Sequence, residues 1–447
     1  MENIVNTLAK HNKKCFLVGG AVRDYLQNKK VADLDFATDA TPRELKTFFS
    51  GNKIVCAGEQ FNVTIINGFE VATFRTDHYQ GSNQHNCDIK YADNIFDDLA
   101  RRDLTINAMA INMHGDGDLI DPYNGLKDLE KKVIRFVGNP YMRIHEDPNR
   151  IIRAVRFCSS INGELESATK KAIQDSVKNG TYALIAPERV RLEIVKAMQT
   201  KRASKFFETL HQVGLLKKIF PSLDSCYNHD GGPYHKEDVF THNMLTGDYV
   251  SPRFWDTKLA AYLHDVGKPA VFDRKEKTFH GHEVVGASIA EKELRKLKFS
   301  NDEIEKITTL IRLHMRFFST PKAIKRIFVE LNNSKAGYKD LLRVKYGDRQ
   351  GNLNKPDWTF SQIKDKLIHV ETIMNDKKSS AFSIKDLEIS GNDVMNIFEI
   401  DPGKQVGDTL KDIFTRVNDG ELKNDREELL NELEVLKTMS AEKKMAI

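Results

Sequence analysis

The 447-residue sequence predicts an α+β protein, with a small strand-and-helix head on a long helical body. Three observations predict it. Short β-like runs (FLVGG, DLDFAT, FNVTIING, FEVATFRT and AMAINMHG) all fall before residue 145. Beyond that point the strand signal nearly vanishes. Apolar residues then recur at helical spacing, as in Ile151, Ile152, Val155 with Phe157, and again in Val190, Ile194, Val195 and Met198. The expected division is a head at 1–145, a helical neck at 146–225, a body at 226–350 and a helical tail at 351–447.

The head is organised by residues 16–38, FLVGGAVRDYLQNKKVADLDFAT. Phe16-Leu17-Val18 reads as a short buried strand. Gly19 and Gly20 allow a tight turn and close approach to a ligand. A helix from Ala21 to Gln27 would turn its free N–H groups toward that ligand. In Asp33-Leu34-Asp35, strand alternation would set both carboxylates on one face, where a divalent metal would offset their repulsion. A glycine turn for phosphate beside a carboxylate pair for Mg²⁺ is the equipment of phosphoryl or nucleotidyl transfer. Either feature alone would read as a structural turn or an exposed strand end. Pro42 to Ser50 reads as a helix, with Thr41 as N-cap.

Two further clusters follow. In RRDLTINAMA, Arg101 and Arg102 suit triphosphate oxygens, and Asp103 could accept from ribose hydroxyls. In EDPNRIIRAVRF, Asp147, Arg150, Arg153 and Arg156 recur three apart, as on one helical face. Taken singly, an ion pair and a row of solvated charges are the better readings.

VGGAVRD with DLD, then RRDLTINAMA, then EDPNRIIRAVRF, in this order, resembles the class II tRNA nucleotidyltransferases. These are the CCA-adding enzymes and bacterial poly(A) polymerases of the polymerase-β superfamily; PERVRLE (187–193) is similar to their later ER…E motif. The resemblance implies a polymerase-β-like head that adds C, C and A to the 3′ end of tRNA from CTP and ATP. Asp33 and Asp35 would hold the catalytic Mg²⁺. Gly19, Gly20 and Arg23 would meet the nucleotide phosphates, with Arg102 and Asp103 near phosphate and ribose. Asp147 and Arg150 would read the base, supported by Arg153 and Arg156. The physics agrees: cytosine and adenine both present an amine donor beside a ring-nitrogen acceptor, whereas uracil and guanine reverse the order. A mismatch would leave buried polar groups unpaired, at about 1–3 kcal/mol each. The sequence departs from the family at 76–95, where TDHYQGSNQHNCDIKYADN keeps Tyr79 but lacks the usual basic-proline core of a loop implicated in the switch from C to A. The CC-adding, A-adding and poly(A)-adding alternatives share the head motifs and stay open.

The body carries a histidine pattern: His242, then LAAYLHDVGKP with His264 and Asp265, FHGHE with His280 and His282, LIRLHMR with His314, and YGD with Asp348. It resembles the HD phosphohydrolase superfamily. That resemblance implies a metal site of His242, His264, Asp265, His282, His314 and Asp348, suited to Ni, Mn, Co or Fe. His280 fits less well than His282, and His229 and His235 fall outside the pattern. Plausible substrates would be cyclic or terminal phosphates at RNA ends. An alternative of another class is an HD hydrolase whose head only binds RNA. The tail resembles the C-terminal part of longer bacterial relatives, with Gly403 and Gly407 as turn and cap glycines and 425–444 as a solvated helix face. Lys322, Lys325 and Arg326 are candidate phosphate contacts.

A net charge of +4 permits a nucleic-acid partner without demanding one. No window approaches the roughly 18 apolar residues of a membrane span. The N-terminus shows no signal peptide, and five scattered cysteines without CxxC suit a reducing cytoplasm.

Overall fold

The computed structural model describes residues 2–31, 33–57, 63–79, 87–318, 320–332, 334–375 and 384–445. The chain divides into two units, Met1–Ile219 and Phe220–Ile447.

In the first unit, β1 (Phe16–Val18), β2 (Asp35–Thr38), β3 (Ile54–Ala57), β4 (Val63–Ile66) and β5 (Phe69–Thr73) precede β6 (Arg75–Tyr79), β7 (Cys87–Tyr91), β8 (Ala110–Asn112) and β9 (Leu119–Ile120). All but β6 and β7 join one mixed sheet in the order β3-β4-β5-β2-β1-β8-β9. β1 lies between β2 and β8, antiparallel to both. Its three residues are buried, which is why it reads as an unbroken apolar run. Gly19 then takes φ 67° and caps the Gly20–Leu26 helix. A Cβ there would stand 3.0 Å from Arg102 Nη1, so conformation and space both favour glycine. Thr41 caps the Pro42–Phe48 helix through a reciprocal bond with Glu44.

Two local readings are corrected. β2 begins at Asp35, so strand alternation does not position Asp33. The Asn149–Ile161 helix begins after Asp147, which closes the preceding Pro140–Glu146 helix in an extended conformation. Asp147 therefore does not share a helical row with Arg150, Arg153 and Arg156. Strand also persists past residue 145: Glu164–Leu165 pairs in parallel with Val133–Ile134. Within the divergent stretch, β6 and β7 form a hairpin with Arg75 opposite Tyr91 and Tyr79 opposite Cys87. Its 80–86 connection lies outside the described residues.

The second unit is helical. Val239–Asp248, Trp255–Leu263, His282–Lys296, Asn301–Leu313 and Tyr338–Gly351 pack around one interior. Gly267, in the turn after His264-Asp265, sits so close to its neighbour that a Cβ would fall 2.1 Å from the His282 carbonyl oxygen. Toward the C-terminus, Leu429 and Leu433 are fully buried with Val394, Ile413 and Val417. The Arg426–Met445 helix is thus packed on one side and not only a solvated face. Gly403 precedes the Lys404–Asp419 helix, but Gly407 lies inside it and is neither turn nor cap. Lys322 and Arg326 both bind Asp419, at 3.1 and 2.6 Å, and Lys325 is buried, so none of the three is simply a free phosphate contact. Among the described residues no helix is long and apolar enough to cross a membrane.

Candidate functional site

At the head, Asp33 is exposed and Asp35 half-buried at the start of β2. Glu70 lies in register with Asp35 on the parallel neighbour β5. Burial first, then the Glu70 and Asp33 carboxylates, push the Asp35 carboxyl above its usual range, while Arg102 pulls it down. Crowded hard oxygens of this kind suit a divalent cation such as Mg²⁺. The sequence reading missed Glu70. Its signal was a glutamate inside the strand-like FEVAT.

The basic residues are held by a network. Asp98, wholly buried, takes Arg101 at 2.7 Å and Arg102 at 3.0 Å. Arg23 Nη1 donates to Asn107 Oδ1 at 2.8 Å. Asp103 Oδ2 accepts from Arg153 Nε at 2.8 Å, and its other oxygen accepts the Leu104 N–H. Burial alone would raise the Asp103 carboxyl, but Arg153 outweighs it and holds the pKa at about 2. Arg156 donates to Glu193 of the ER…E motif at 2.5 Å and lies over Phe157, 3.9 Å from the ring centre. Arg23 approaches the same ring at 5.2 Å. The structure thus gathers Gly19, Arg23, Arg102, Asp103, Arg153 and Arg156 into one connected network.

Asp147 and Arg150 are buried to within 9% and 7% exposure, and both are oriented by neighbours. Arg189 donates to both Asp147 oxygens at 3.2 Å. Arg150 donates to Glu146 at 2.5 Å and to the Arg101 carbonyl at 2.9 Å. A carboxylate accepts about four hydrogen bonds and a guanidinium donates five, so each keeps capacity for a ligand. Arg189, Glu146 and Asn107 were quoted within motifs but given no role. Only the fold shows which partner each one grips.

In the second unit, His242, His264, Asp265, His282, His314 and Asp348 converge. Asp265 is 2% exposed. Its Oδ1 lies 3.1 Å from His282 Nε2 and 3.6 Å from His314 Nε2, and its Oδ2 lies 3.3 Å from His264 Nε2. His242 Nε2 stands 3.2 Å from Asp348 Oδ1. The far side of each ring sets the chemistry. His264, His282 and His314 turn Nδ1 to the carbonyls of Ala261, Phe279 and Ile311, at 2.8, 2.7 and 2.6 Å. A carbonyl only accepts, so Nδ1 carries the hydrogen and Nε2 is the ring nitrogen turned inward, the one able to hold an ion. Second-neighbour carbonyls of this kind orient metal-binding histidines. His282 and His314 bring their Nε2 atoms to 3.3 Å of each other, a contact that calls for a cation or proton between them. His264 Nε2 is buried without a hydrogen-bond partner. Burial works against charge on His242, yet Asp348 and Glu237 hold its pKa up to about 9.

His235, outside the sequence pattern, lies at the edge of the cluster. Its Nδ1 lies 2.8 Å from Glu237, its ring stacks edge-on 4.4 Å from His242, and His235, Glu237 and His242 form a further group able to hold an ion. Lys268 joins this edge, 2.6 Å from Asp265 Oδ2. His280 is exposed, whereas His282 enters the cluster. His229 instead contacts Phe272 and Phe279.

Comparison with known proteins shows the family. Residues 15–135 match the family described as the poly A polymerase head domain, and residues 284–433 match a tRNA nucleotidyltransferase domain 2. Residues 164–227 match a segment described as "Probable RNA and SrmB- binding site of polymerase A". A CCA-adding enzyme of Bacillus licheniformis is 30% identical over 430 residues, covering 95% of this chain and 94% of the relative. An A-adding tRNA nucleotidyltransferase of Deinococcus radiodurans is 30% identical over 407 residues, covering 88% and 89%. The crystal structure of a Bacillus stearothermophilus CCA-adding enzyme in complex with CTP shares the fold, with a TM-score of 0.69 at 22% identity over 99% of this chain and 98% of that one. The chain therefore belongs to the family of CCA-adding tRNA nucleotidyltransferases and bacterial poly(A) polymerases, and is a nucleotidyltransferase.

Proposed function

We propose that the chain adds C, C and A to the 3′ end of tRNA from CTP and ATP without a nucleic-acid template. The observation that carries this reading is the paired base reader. Asp147 is gripped by Arg189 and Arg150 by Glu146, both buried and three residues apart in sequence. An oriented acceptor and donor favour the donor–acceptor edge shared by cytosine and adenine, and protein groups then take the place of a template base. Asp33 and Asp35 would hold Mg²⁺, which supplies Lewis acidity at the reacting phosphate. Arg23 and Arg102 bind triphosphate oxygens, and Asn107 and Asp98 keep those guanidiniums aimed. Asp103, kept ionised by Arg153, accepts from the sugar hydroxyls. Full-length similarity to a CCA-adding enzyme supports the complete programme, while similarity to an A-adding enzyme keeps the specialist in view. The test is incubation with tRNA ending before C74, after CC, or intact, with CTP and ATP supplied separately and together. Full CCA addition needs growth by C, C and A and then arrest. Growth only on CC-ended tRNA with ATP would mark an A-adding enzyme, and unlimited A growth a poly(A) polymerase.

The second unit favours an additional reading as a metal-dependent phosphohydrolase. Its support is the set of inward Nε2 atoms backed by carbonyl-bound Nδ1 atoms around Asp265. Imidazole nitrogens with carboxylates suit Ni, Mn, Co or Fe, and ions there would polarise a phosphate ester. Metal analysis of the purified protein, with hydrolysis of a cyclic phosphodiester and a phosphomonoester, tests it. Absence of both bound metal and hydrolysis would make the cluster a structural remnant. Hydrolysis without any nucleotide addition would instead favour a hydrolase with an RNA-binding head.

A further inference from the structure

A cavity of about 290 Å³ opens beside the His/Asp cluster. His314 and Asp348 of the cluster belong to its lining. The side chain of Asp348 is 34% exposed, whereas that of Asp265 is 3% exposed, so Asp348 is the side of the cluster that open space reaches. The walls carry Lys345, Arg349, Lys355 and Lys366, four cations against the one carboxylate. The rings of Phe317, Phe318 and Trp358, with Met315 and Leu342, complete the lining.

The cations are held in place without being used up. Lys345 Nζ donates to the His314 carbonyl at 2.6 Å and lies 5.2 Å from the Phe317 ring centre. Lys366 Nζ lies 4.8 Å from the Trp358 ring centre. Arg349 Nε donates to the Pro356 carbonyl at 2.8 Å. An ammonium has three donors and a guanidinium five, so each retains donors for a ligand. Trp358 is fixed through its backbone N–H, which donates to Gln350 Oε1 at 2.8 Å. Phe317 is 70% exposed, a large lining ring left facing water. The segment that carries Lys355 and Trp358 also touches the cluster: the Gly351 carbonyl lies 3.3 Å from His242 Nδ1, and Leu353 N–H donates to Glu237. The segment 351–358 thus connects cluster and cavity wall.

We infer that this cavity is the substrate pocket of the His/Asp cluster and receives a phosphate ester carried on a nucleoside, with Lys345 and its neighbouring cations at the phosphate and Trp358 and Phe317 against the base. The inference rests on the phosphohydrolase reading above and adds the recognition that reading lacks. Clustered cations account for a phosphate, but inorganic phosphate needs no rings. A flat base stacks on aromatic faces, at about 1–3 kcal/mol per base. The volume lies near the lower end of small-ligand sites, about 300 Å³, which suits one nucleotide and not a long chain. The nucleotide can be free or the last residue of an RNA, since both present the same ester and base.

The experiment is calorimetric titration of the full-length protein with adenosine 3′-phosphate, adenosine, inorganic phosphate and a short RNA ending in a 3′-phosphate. The expected result is binding of adenosine 3′-phosphate at least tenfold tighter than adenosine or phosphate alone. Trp358→Leu and Lys366→Ala should each weaken it about tenfold while bound metal and thermal midpoint stay as in the wild type. Lys345→Ala should weaken it further; because Lys345 also holds the His314 carbonyl, the other two variants carry the decision. RNA that competes with the nucleotide in the wild type, and loses affinity in Trp358→Leu, identifies the terminal residue as the source; lack of competition identifies the free nucleotide. Equal affinity for nucleotide and inorganic phosphate, or unchanged affinity in both Trp358→Leu and Lys366→Ala, overturns the pocket. A wild type that binds no metal and hydrolyses no ester overturns the underlying hydrolase reading instead. Hydrolysis with an unchanged KM in both variants overturns the pocket alone.

Discussion

The two candidate metal sites of this chain are built on opposite plans. The head site is open: oxygen ligands only, with Asp33 exposed and Asp35 at a strand's first residue. The site in the second unit is enclosed: imidazoles and carboxylates from separate helices, nearly all below 7% exposure, each ring fixed from behind by a backbone carbonyl or a carboxylate. The difference follows from chemistry. A transferase centre must admit a triphosphate and a polynucleotide end, and Mg²⁺ keeps several waters, so a shallow carboxylate shelf is enough. A transition-metal site gains from a rigid nitrogen-rich cage that fixes ligand number and tautomer before the ion arrives. The shelf should therefore fail through lost chemistry and the cage through lost packing.

The largest expected effect is on the shelf. Asp33→Ala or Asp35→Ala should lower nucleotide addition by roughly a thousandfold or more, because loss of a metal ligand removes several kcal/mol of transition-state stabilisation. Thermal stability should hardly change, since neither residue anchors the fold. Near-normal turnover in either variant would move the catalytic metal elsewhere. Glu70→Gln sharpens the same point: removing a nearby charge should lower the Asp35 pKa, with a smaller loss of rate.

For the cage, the revealing change is Gly267→Ala, which touches no ligand. The new Cβ would fall 2.1 Å from the His282 carbonyl oxygen and 2.6 Å from the Gly286 nitrogen. Backbone must then shift, at about 1–3 kcal/mol or more for overpacking. His282 sits at the site of that shift. A lower thermal midpoint together with reduced metal content is the expected outcome, and a variant that keeps its full metal content would show the cage to be more compliant than its packing implies.

The motifs were legible where one local rule fixed both shape and chemistry. Phe16 to Gly20 is such a case, since buried strand, positive φ and helix start are all written in five residues. Legibility failed where position depended on a partner distant in sequence. Asp33 lies outside the strand that was expected to orient it, and its effect on Asp35 arises from proximity rather than alternation. Asp147 lies outside its expected helix, and Arg189, 42 residues on, orients it. His235 looked isolated because Glu237 and Lys268 give it meaning only in three dimensions. Ile54–Ala57 is absent from the β-like runs read in the sequence, yet it pairs along its length with β4.

A smaller effect separates the units by acid. Asp103 has a folded pKa of about 2, against an unfolded value of about 3.9, so it stabilises the fold above pH ~4 and that contribution fades as pH falls toward 2. The difference is worth about 2.6 kcal/mol at neutral pH. Asp103→Asn should lower the stability of the wild type at pH 7 by about that amount and flatten its dependence between pH 4 and 2. Equal losses at pH 7 and pH 2 would mean that Arg153 does not depend on the charge.

The smallest effect tests whether the proposed base reader is both present and aimed. Asp147→Ala removes an acceptor and should reduce discrimination of CTP over UTP by about 1–3 kcal/mol. Arg189→Ala leaves that acceptor in place but frees its orientation, since Arg189 donates to both Asp147 oxygens at 3.2 Å. The guanidinium is 38% exposed, so its ion pair contributes little stability in water. Its contribution should appear in selectivity instead, as a loss of about tenfold or less in the ratio of kcat/KM for CTP over UTP, with the melting temperature nearly unchanged. Arg189→Lys should recover part of the ratio, because an ammonium restores charge but not the two parallel hydrogen bonds. If Arg189→Ala lowers the rates for CTP and UTP equally, the pair takes no part in base selection, and the aim of Asp147 must come from the backbone on either side of Pro148.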